Sequence, residues 1–259
     1  MDNPAPPHDL DRFYSREPVH AWKQIIGRDL HYHFGYFFGA EELETGLRQT
    51  VRNYYPYIEP GSRVLDVGCG WGGPAKMLRE ERDCRVVGVT SSQTQVEYCR
   101  HLGMEAWRRD LDGETNPLPN VSSGGVDIIF SLEMISHIRH KLRLLRRLRE
   151  SGARLILSES CVADGYSGER TVFGGSILLC SVSELAHDVE AAGWEIRWMR
   201  DRRFHSLRTL SLWKQNLDRI YGEREPPGQL GVLRDLVDAA LPSPVEWCRS
   251  FPLIDIVAE

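Results

Sequence analysis

A glutamate and a histidine four positions apart are the residues of this sequence best suited to acid–base chemistry. They are Glu133 and His137, in the segment SLEMISH at residues 131–137. Residues at this spacing share one face of a helical turn, and histidine has a pKa suited to a general base near neutral pH. The pattern predicts a catalytic pair. The alternative is that His137 caps the next helix and that Glu133 is a surface or ligand-loop group.

A glycine-rich turn farther upstream predicts a ligand site. Residues 64–73 read VLDVGCGWGG, an apolar strand with an acidic residue followed by glycines and the start of a helix. Gly68 and Gly70 permit a sharp turn and leave room for a ligand beside the backbone. The helix N-terminus that follows favours negatively charged groups. The spacing also fits a dinucleotide site, and a turn without any ligand is a third alternative.

Alternating strands and helices must position these residues. Apolar runs predict strands at residues 63–67, 85–89, 126–131, 155–157, 194–199 and 252–258. Helical patterns between them cover residues 74–81, 93–102, 139–150 and 183–192. Repeated strand–helix units predict a parallel sheet with helices on both faces. Helices predicted at 207–221 and 232–240 precede the last strand. They would cap the carboxyl edge, where ligands of open sheets bind.

The sequence predicts one α/β domain behind a short tail. Residues 1–8 contain three prolines and are predicted to be disordered. The domain covers residues 9–259, divided into lid helices (9–58), a ligand-binding core (59–200), a helical cap (201–245) and a last strand (246–259).

Composition excludes several classes of function. The net charge of -5 gives no global positive field for nucleic acid. The six cysteines form no C-x-x-C pair, which favours free thiols in a reducing compartment, and we predict a cytoplasmic protein. We find no apolar run near 18 residues, so we predict no membrane span. His31 and His33 lack acidic or thiol partners at ligand spacing, so we predict no metal. A homodimer is compatible with the sequence.

Several motifs resemble class I S-adenosylmethionine-dependent methyltransferases, especially the branch of cyclopropane fatty acid synthases and sterol C-methyltransferases. The glycine run resembles their D-x-G-C-G-x-G. Residues 30–37, LHYHFGYF, resemble the synthases' L-T-Y-S-x-x-Y-F, and GVTSS at 88–92 with Gln95 resembles G-V-T-x-S-x-x-Q. HSLRTL at 205–210, with Trp213 and Asn216, resembles H-Y-x-x-T-L-x-x-W-x-x-N. GGPA at 72–75, with Glu133 and His137, is more similar to the sterol enzymes.

This resemblance, which runs from about residue 28 to 217, implies a Rossmann-like, doubly wound, mainly parallel seven-stranded sheet. It implies S-adenosylmethionine as cofactor and S-adenosylhomocysteine as product. The implied donor residues are Asp66, Gly68 and Gly70 at the methionine part, Tyr32 and His33 at its carboxylate, Thr90 and Gln95 at the ribose, Asp110 and Leu111 at the adenine, and Ser131 near the sulfonium. Many methyltransferases have an acidic residue where Thr90 stands, but the synthases share the threonine.

The resemblance also bears on the acceptor. Ser136 and Ser206 stand where the synthases have a glutamate and a tyrosine of their proton-accepting bicarbonate site. Simple methylation is therefore expected rather than ring closure. The expected acceptor is a small, partly apolar metabolite, for example an alkene carbon of an isoprenoid or isoprenoid diphosphate. N- or O-methylation of a small metabolite and donor binding without turnover are the alternatives.

Aromatic and basic residues supply the predicted acceptor contacts: Trp22, Tyr36, Arg203, His205 and Arg208. Aromatic faces stabilise cations, and arginines bind anionic groups such as diphosphate or carboxylate. Core packing is an equally good explanation for the aromatic residues, and surface positions are an alternative for the arginines.

Overall fold

A computed structural model describes residues 17–113, 118–119, 125–172 and 177–259 of the chain. The predicted disordered tail lies outside these residues, as does the beginning of the first predicted helix. Nine strands belong to the described part: β1 (Arg63–Val67), β2 (Arg85–Thr90), β3 (Glu105–Arg108), β4 (Ile128–Leu132), β5 (Arg154–Ser160), β6 (Thr171–Val172), β7 (Ile177–Leu178), β8 (Ile196–Asp201) and β9 (Leu253–Ala258).

Seven of these strands form one sheet in the order β3-β2-β1-β4-β5-β9-β8. The first five strands are parallel, and β9 runs antiparallel to both β5 and β8. Strand order reverses between β1 and β4, which is where open α/β sheets bind ligands. The Rossmann-like, doubly wound, mainly parallel sheet predicted from the sequence is therefore confirmed. The two-residue strands β6 and β7 form a separate pair that the sequence did not predict.

Nine helices complete the described part: α1 (Val19–Ile26), α2 (Leu43–Arg52), α3 (Gly73–Arg82), α4 (Gln93–His101), α5 (Lys141–Arg149), α6 (Val182–Ala191), α7 (Arg203–Tyr221), α8 (Gly228–Ala240) and α9 (Pro244–Ser250). The last three lie between β8 and β9, as a cap inserted before the last strand requires. Helix α7 begins four residues earlier than predicted, because the Asp201 carboxylate accepts a hydrogen bond from the Arg203 amide. Across the described ranges, no helix combines the length and apolar character needed to cross a membrane.

The N-terminal helices and the cap share one hydrophobic core. Trp22 and Leu47 from the N-terminal helices pack in the same cluster as Leu210, Trp213 and others of the cap. Two further clusters cover the two faces of the sheet. Because burial of this apolar surface holds lid and cap together, they form a single roof over the carboxyl edge of the sheet.

Candidate active site

A cavity of about 1470 Å³ lies between that roof and the carboxyl edge of the parallel strands. Eleven predicted site residues line it: Tyr32, His33, Asp66, Gly68, Gly70, Thr90, Gln95, Asp110, Leu111, Glu133 and His137. Six do not belong to its lining: Trp22, Tyr36, Ser131, Arg203, His205 and Arg208. The fold thus brings together most of the predicted donor residues and both predicted catalytic residues, but none of the predicted acceptor contacts.

The two glycines of the turn after β1 have different structural roles. Both have positive φ, 83° for Gly68 and 53° for Gly70, which glycine adopts without steric cost. A Cβ atom on Gly68 would lie 2.1 Å from Cγ of Met134, so this glycine is required for packing. A Cβ on Gly70 would have its nearest described neighbours at 4.0 Å, in Gln95 and in the Gly68 backbone. Gly70 therefore leaves open space beside the cavity.

Asp66 is an acidic group prepared for a positively charged ligand. The residue is 3% exposed and lines the cavity at the end of β1. Its Oδ2 atom has no hydrogen-bond partner within the described residues. Burial raises the pKa of Asp66 to about 7. Because a buried polar atom without a partner is costly, this carboxylate suits an ammonium group, such as that of the predicted methyl donor.

Polar groups continue around the same end of the cavity. The Thr90 hydroxyl donates a hydrogen bond of 2.7 Å to Oε1 of Gln95. Asp110 follows β3, and its Oδ1 accepts a hydrogen bond of 3.0 Å from the Asp112 amide. Leu111 adds an apolar contact surface. This combination of hydroxyl, amide, carboxylate and apolar side chain suits a ribose and a purine, and the individual contacts stay predictions.

His33 lines the cavity, but its ring nitrogens bond inside the protein. Nδ1 lies 3.1 Å from the Phe34 carbonyl oxygen, and Nε2 lies 3.2 Å from Nδ1 of His31. A carbonyl only accepts, so Nδ1 of His33 carries the proton and Nε2 accepts from His31. Burial lowers the pKa of His33 to about 4, so the ring is neutral. The ring nitrogens are thus occupied by protein groups, and the contact of His33 with the donor carboxylate stays a prediction.

Ser131 and Trp22 are buried beneath the site. Ser131 is fully buried, and its hydroxyl donates to the Val67 carbonyl oxygen at 3.1 Å, tying β4 to β1. Trp22 is also fully buried, with its ring centroid 5.3 Å from that of Tyr32. Neither side chain has surface available for a ligand, so the predicted donor and acceptor contacts are corrected to packing roles.

The predicted acceptor residues of the cap engage protein groups instead. Arg203 forms an ion pair with Asp201 and donates to the Cys248 carbonyl, and Arg208 donates to the Glu41 carbonyl. His205 accepts at Nδ1 from the Phe37 amide, and its ring stacks on Tyr36 with centroids 4.1 Å apart. Because none of these side chains lines the cavity, the cap does not offer the anion site that its arginines predicted.

The turn after β4 presents the predicted catalytic pair without a helix between them. Glu133 has φ of 54°, which turns the chain out of the strand, and residues Ile135–His137 form a single 3₁₀ turn. The prediction that Glu133 and His137 share a face of a helical turn is therefore wrong, although both side chains line the cavity. Oε1 of Glu133 accepts a 2.7 Å hydrogen bond from the Phe34 amide. Burial raises the pKa of Glu133 to about 8, although Arg202 and that amide oppose the shift.

A buried arginine connects this turn to the aromatic segment. Arg202 is 2% exposed and forms an ion pair of 2.8 Å with Asp255. It also donates to Oγ of Ser158 and to the carbonyl oxygens of Phe34 and Gly35, all within 3.1 Å. Burial lowers the pKa of Arg202, but Asp255 and other acidic neighbours raise it further, so the cation persists. The sequence showed Arg202 only as one member of a basic run.

Glu159 is a cavity residue that the sequence interpretation missed. It lies near the end of β5, beside the turn that carries His137. Its Oε2 accepts from the Ser136 amide at 3.1 Å, and its Oε1 accepts from the Ser160 amide at 3.0 Å. Burial raises the pKa of Glu159 to about 7. An acidic residue at the carboxyl end of an apolar strand was the available signal.

The other end of the cavity is mainly apolar. Its lining comes from the β6–β7 region and from the cap, and includes Leu178, Leu179, Leu236, Trp247 and Phe251. No group of three or more histidine, cysteine, aspartate or glutamate side chains in the described ranges is arranged to hold a metal ion. The cavity therefore joins polar groups near β1, β2 and β3 to an apolar lining. Glu133 and His137 follow β4 and Glu159 lies in β5, the next two strands of the sheet after β1.

Comparisons with known proteins agree with this arrangement. The family model of mycolic acid cyclopropane synthetase matches residues 22–224. The 27-O-demethylrifamycin SV methyltransferase of Amycolatopsis mediterranei is 28% identical over 225 residues, covering 78% of each chain. Two other curated relatives are longer, and the chain spans 57% and 49% of their lengths.

Solved structures show the same fold. A cyclopropane synthase from Mycobacterium tuberculosis superposes with a TM-score of 0.79 at 16% identity, covering 99% of both chains. A geranyl diphosphate methyltransferase superposes with a TM-score of 0.72 at 17% identity, covering 96% of this chain and 97% of its own.

Proposed function

The chain belongs to the mycolic acid cyclopropane synthetase family and is an S-adenosylmethionine-dependent methyltransferase, and from this premise we propose that it methylates a small, partly apolar acceptor. The observation that carries the proposal is the single cavity that joins the glycine turn to an apolar end. We place the methyl donor at the turn and the acceptor at the apolar end.

The donor end has the groups that S-adenosylmethionine needs. Asp66 binds the amino group through the oxygen that has no protein partner, because a charge-assisted hydrogen bond satisfies it. Gly70 leaves room beside the backbone. Thr90 and Gln95 are proposed for the ribose, and Asp110 for the adenine. When bound, the donor supplies a methyl group on a positively charged sulfur atom.

The acceptor that we favour has an alkene carbon, as in an isoprenoid. Apolar side chains from the cap bind hydrocarbon by excluding water, and the similarity to a geranyl diphosphate methyltransferase supports this class. The cap arginines are engaged with protein groups, so we do not place a diphosphate there. Arg139 and His140 line the cavity instead. Glu133 and His137 are proposed as the catalytic residues that contact the reacting part of the acceptor.

Methylation of nitrogen or oxygen is the second candidate. His137 lines the cavity and can receive a proton from a hydroxyl or an amine as well. The sequence similarity to a demethylrifamycin methyltransferase supports an oxygen acceptor. We also propose a cytoplasmic location, since the six cysteines are free.

Purified protein incubated with isotopically labelled S-adenosylmethionine and a panel of isoprenoid, amine and hydroxyl acceptors tests these proposals. We expect a labelled isoprenoid that gains the mass of one CH₂ group and shows a new C-methyl signal by proton NMR. High-field ring methylene signals would show ring closure instead. Label on nitrogen or oxygen would favour the second candidate. If the protein binds S-adenosylmethionine but transfers its methyl group to no acceptor, the result would favour a donor-binding protein without turnover.

A further inference from the structure

We propose that Ser136 and Glu159 form a proton relay in the cavity wall, which removes the proton that a methylated acceptor loses. The inference rests on the proposed function, because it requires an acceptor that becomes positively charged and then gives up a proton. Neither residue was among the predicted catalytic groups, and Ser136 had been noted only as a substitution.

The geometry joins a cavity serine to a buried carboxylate. Ser136 is the middle residue of the 3₁₀ turn and lines the cavity. Its amide donates to Oε2 of Glu159 at 3.1 Å, and its side chain forms a second hydrogen bond to the same carboxylate. Ser136 is 4% exposed and Glu159 is 0% exposed. Both residues line the cavity, and we place the more exposed Ser136 hydroxyl against the acceptor with the Glu159 carboxylate behind it.

The surroundings of Glu159 keep its carboxylate available. In the described part of the chain, Glu159 forms no ion pair within 4.0 Å, since its close partners are the Ser136 and Ser160 groups. Lys141 from α5 acts on it only at longer range, and its Nζ donates to the Ile138 carbonyl. Glu133 faces it from the turn after β4. The thiols of Cys161 and Cys180 are further titratable neighbours, and His137 lies on the same 3₁₀ turn as Ser136 and lines the same cavity.

This balance suits proton transfer near neutral pH. Burial raises the pKa of Glu159 to about 7, while the two Ser136 hydrogen bonds and the Ser160 amide oppose that shift. A proton acceptor is most effective when its pKa lies near the working pH. Above about pH 7, Glu159 is ionised and can accept a proton. Below that value it is already protonated and cannot act as the proton acceptor.

The step balances as follows. The acceptor atom forms a bond to the methyl carbon, the bond from that carbon to sulfur breaks, and its electron pair stays on sulfur. The acceptor now carries a positive charge. Its C–H, N–H or O–H bond breaks, leaving the electron pair on the acceptor, and the proton joins Oγ of Ser136. The original hydroxyl proton of Ser136 passes to the Glu159 carboxylate, which later releases it to water.

Three variants test the relay in the full-length protein, with the acceptor that the labelling experiment identifies. Glu159→Gln keeps the size of the side chain but cannot hold the proton, so we expect kcat to fall about 100-fold, within the range for acid–base catalysis. Ser136→Ala should lower kcat similarly, whereas Ser136→Thr, which keeps a hydroxyl, should restore much of it. The acceptor KM and the affinity for S-adenosylhomocysteine should change little. The fall in wild-type kcat below about pH 7 should disappear in Glu159→Gln.

The matched control is Ser62→Ala, which removes another buried serine hydroxyl, one that donates to the Glu59 carbonyl and lies outside the cavity lining. Its kcat should match that of the wild type. Equal kcat in Ser136→Ala and Ser62→Ala, or an unchanged pH profile in Glu159→Gln, would overturn the relay while leaving methyl transfer intact.

A second measurement does not depend on turnover. Infrared spectra of the wild type and of Glu159→Gln are recorded as pH rises, and the variant spectra are subtracted. The difference should show the C=O band of protonated Glu159, which disappears near pH 7 as the carboxyl ionises. Ser136→Ala should move that midpoint upward, because the lost hydrogen bond had stabilised the ionised form. An unmoved midpoint would show that the two groups are not coupled. If no acceptor is found, the proposed function fails, and this titration still decides whether the Ser136–Glu159 pair exists.

Discussion

The two ends of the cavity were built in different ways. The centre of the donor end, with Asp66 and Gly70, comes from one short segment, in which the strand ending at Val67, the glycine turn and the start of α3 follow one another directly. The acceptor end is assembled from the β6–β7 region and from the cap helices, which are distant in sequence. A local segment carries its own geometry in its residue types, whereas an assembled surface depends on how the whole roof packs.

Arg202 links the turn after β4 to the aromatic segment, through Glu133 and the Phe34 carbonyl, so its loss should have the largest effect. Arg202→Met removes the buried partner of Asp255 and leaves it only the partly exposed Arg200, and breaking a buried ion pair costs about 3–5 kcal/mol. Urea denaturation should show that loss in the free energy of unfolding. Arg203→Met is the control, because the partly exposed pair with Asp201 should contribute only about 0–1 kcal/mol. Equal losses of unfolding free energy in the two variants would show that the buried Arg202 pair contributes no more than the partly exposed Arg203 pair.

Asp66 should separate donor from acceptor binding more cleanly. Asp66→Asn removes the charge that faces the donor ammonium, a loss of about 1.5–3 kcal/mol, or about 10- to 100-fold in affinity. Calorimetry with S-adenosylhomocysteine at pH 8 measures it. The pKa of about 7 for Asp66 means that the carboxylate forms as pH rises, so wild-type affinity should increase through pH 7. The variant should show a flat profile. A parallel rise in both proteins would place the titrating group elsewhere.

Gly70→Ala should test whether the open space beside the turn belongs to the donor. The new Cβ points into space with no described atom closer than 4.0 Å, so we expect about tenfold weaker donor binding in a folded protein. Gly152→Ala is matched for strain, since Gly152 has φ of 70° and no described atom within 4 Å of a Cβ. Both variants should lose about 1–2 kcal/mol of stability. Donor affinity should fall only in Gly70→Ala, and a fall in both would point to strain.

Phe251→Ala should give the smallest effect and act only at the acceptor end. Phe251 lines the cavity, with its ring centroid 4.5 Å from that of Trp247. Losing about 1 kcal/mol of apolar contact would raise the acceptor KM roughly fivefold and leave donor affinity unchanged. Val245→Ala, at a 68% exposed position of α9, is the control. A change in donor affinity would show that the two ends are coupled.

The fold, and the position of the glycine turn at the cavity, followed from the sequence because their signals are local. Strand–helix alternation predicted the sheet, and Asp66 and Gly70 lie where the glycine motif put them. The motif did not show that Gly68 has a packing role. A side chain at this position would collide with Met134, and that contact is made only in the folded chain. The sequence also did not show the hydrogen bond between His33 and His31. A histidine that binds a ligand and one that bonds to a neighbouring side chain have the same sequence pattern.

The predicted acceptor residues lie outside the cavity lining for a related reason. The sequence shows the positive charge of an arginine but not its partner. Arg203 pairs with Asp201, two residues away, and Arg208 donates to the Glu41 carbonyl, a contact made only in the folded chain. Glu159 shows the opposite case. Its position at the carboxyl end of β5 was visible, but its contact with Ser136 depends on a 3₁₀ turn that replaced the expected helical turn.

Strand β9 has a consequence for how the protein is made. It lies between β5 and β8, and each of its six residues is buried. During synthesis, β8 leaves the ribosome with no edge to join, because its only partner in the sheet is β9. Arg202 likewise emerges before Asp255, its buried counterion. The parallel strands β1 to β5 can assemble first, since N-terminal parts fold earlier. The segment from β8 to the cap cannot join the sheet until β9 has been synthesised. Until β9 is synthesised, this nascent segment exposes an unpaired strand edge, the feature that favours aggregation.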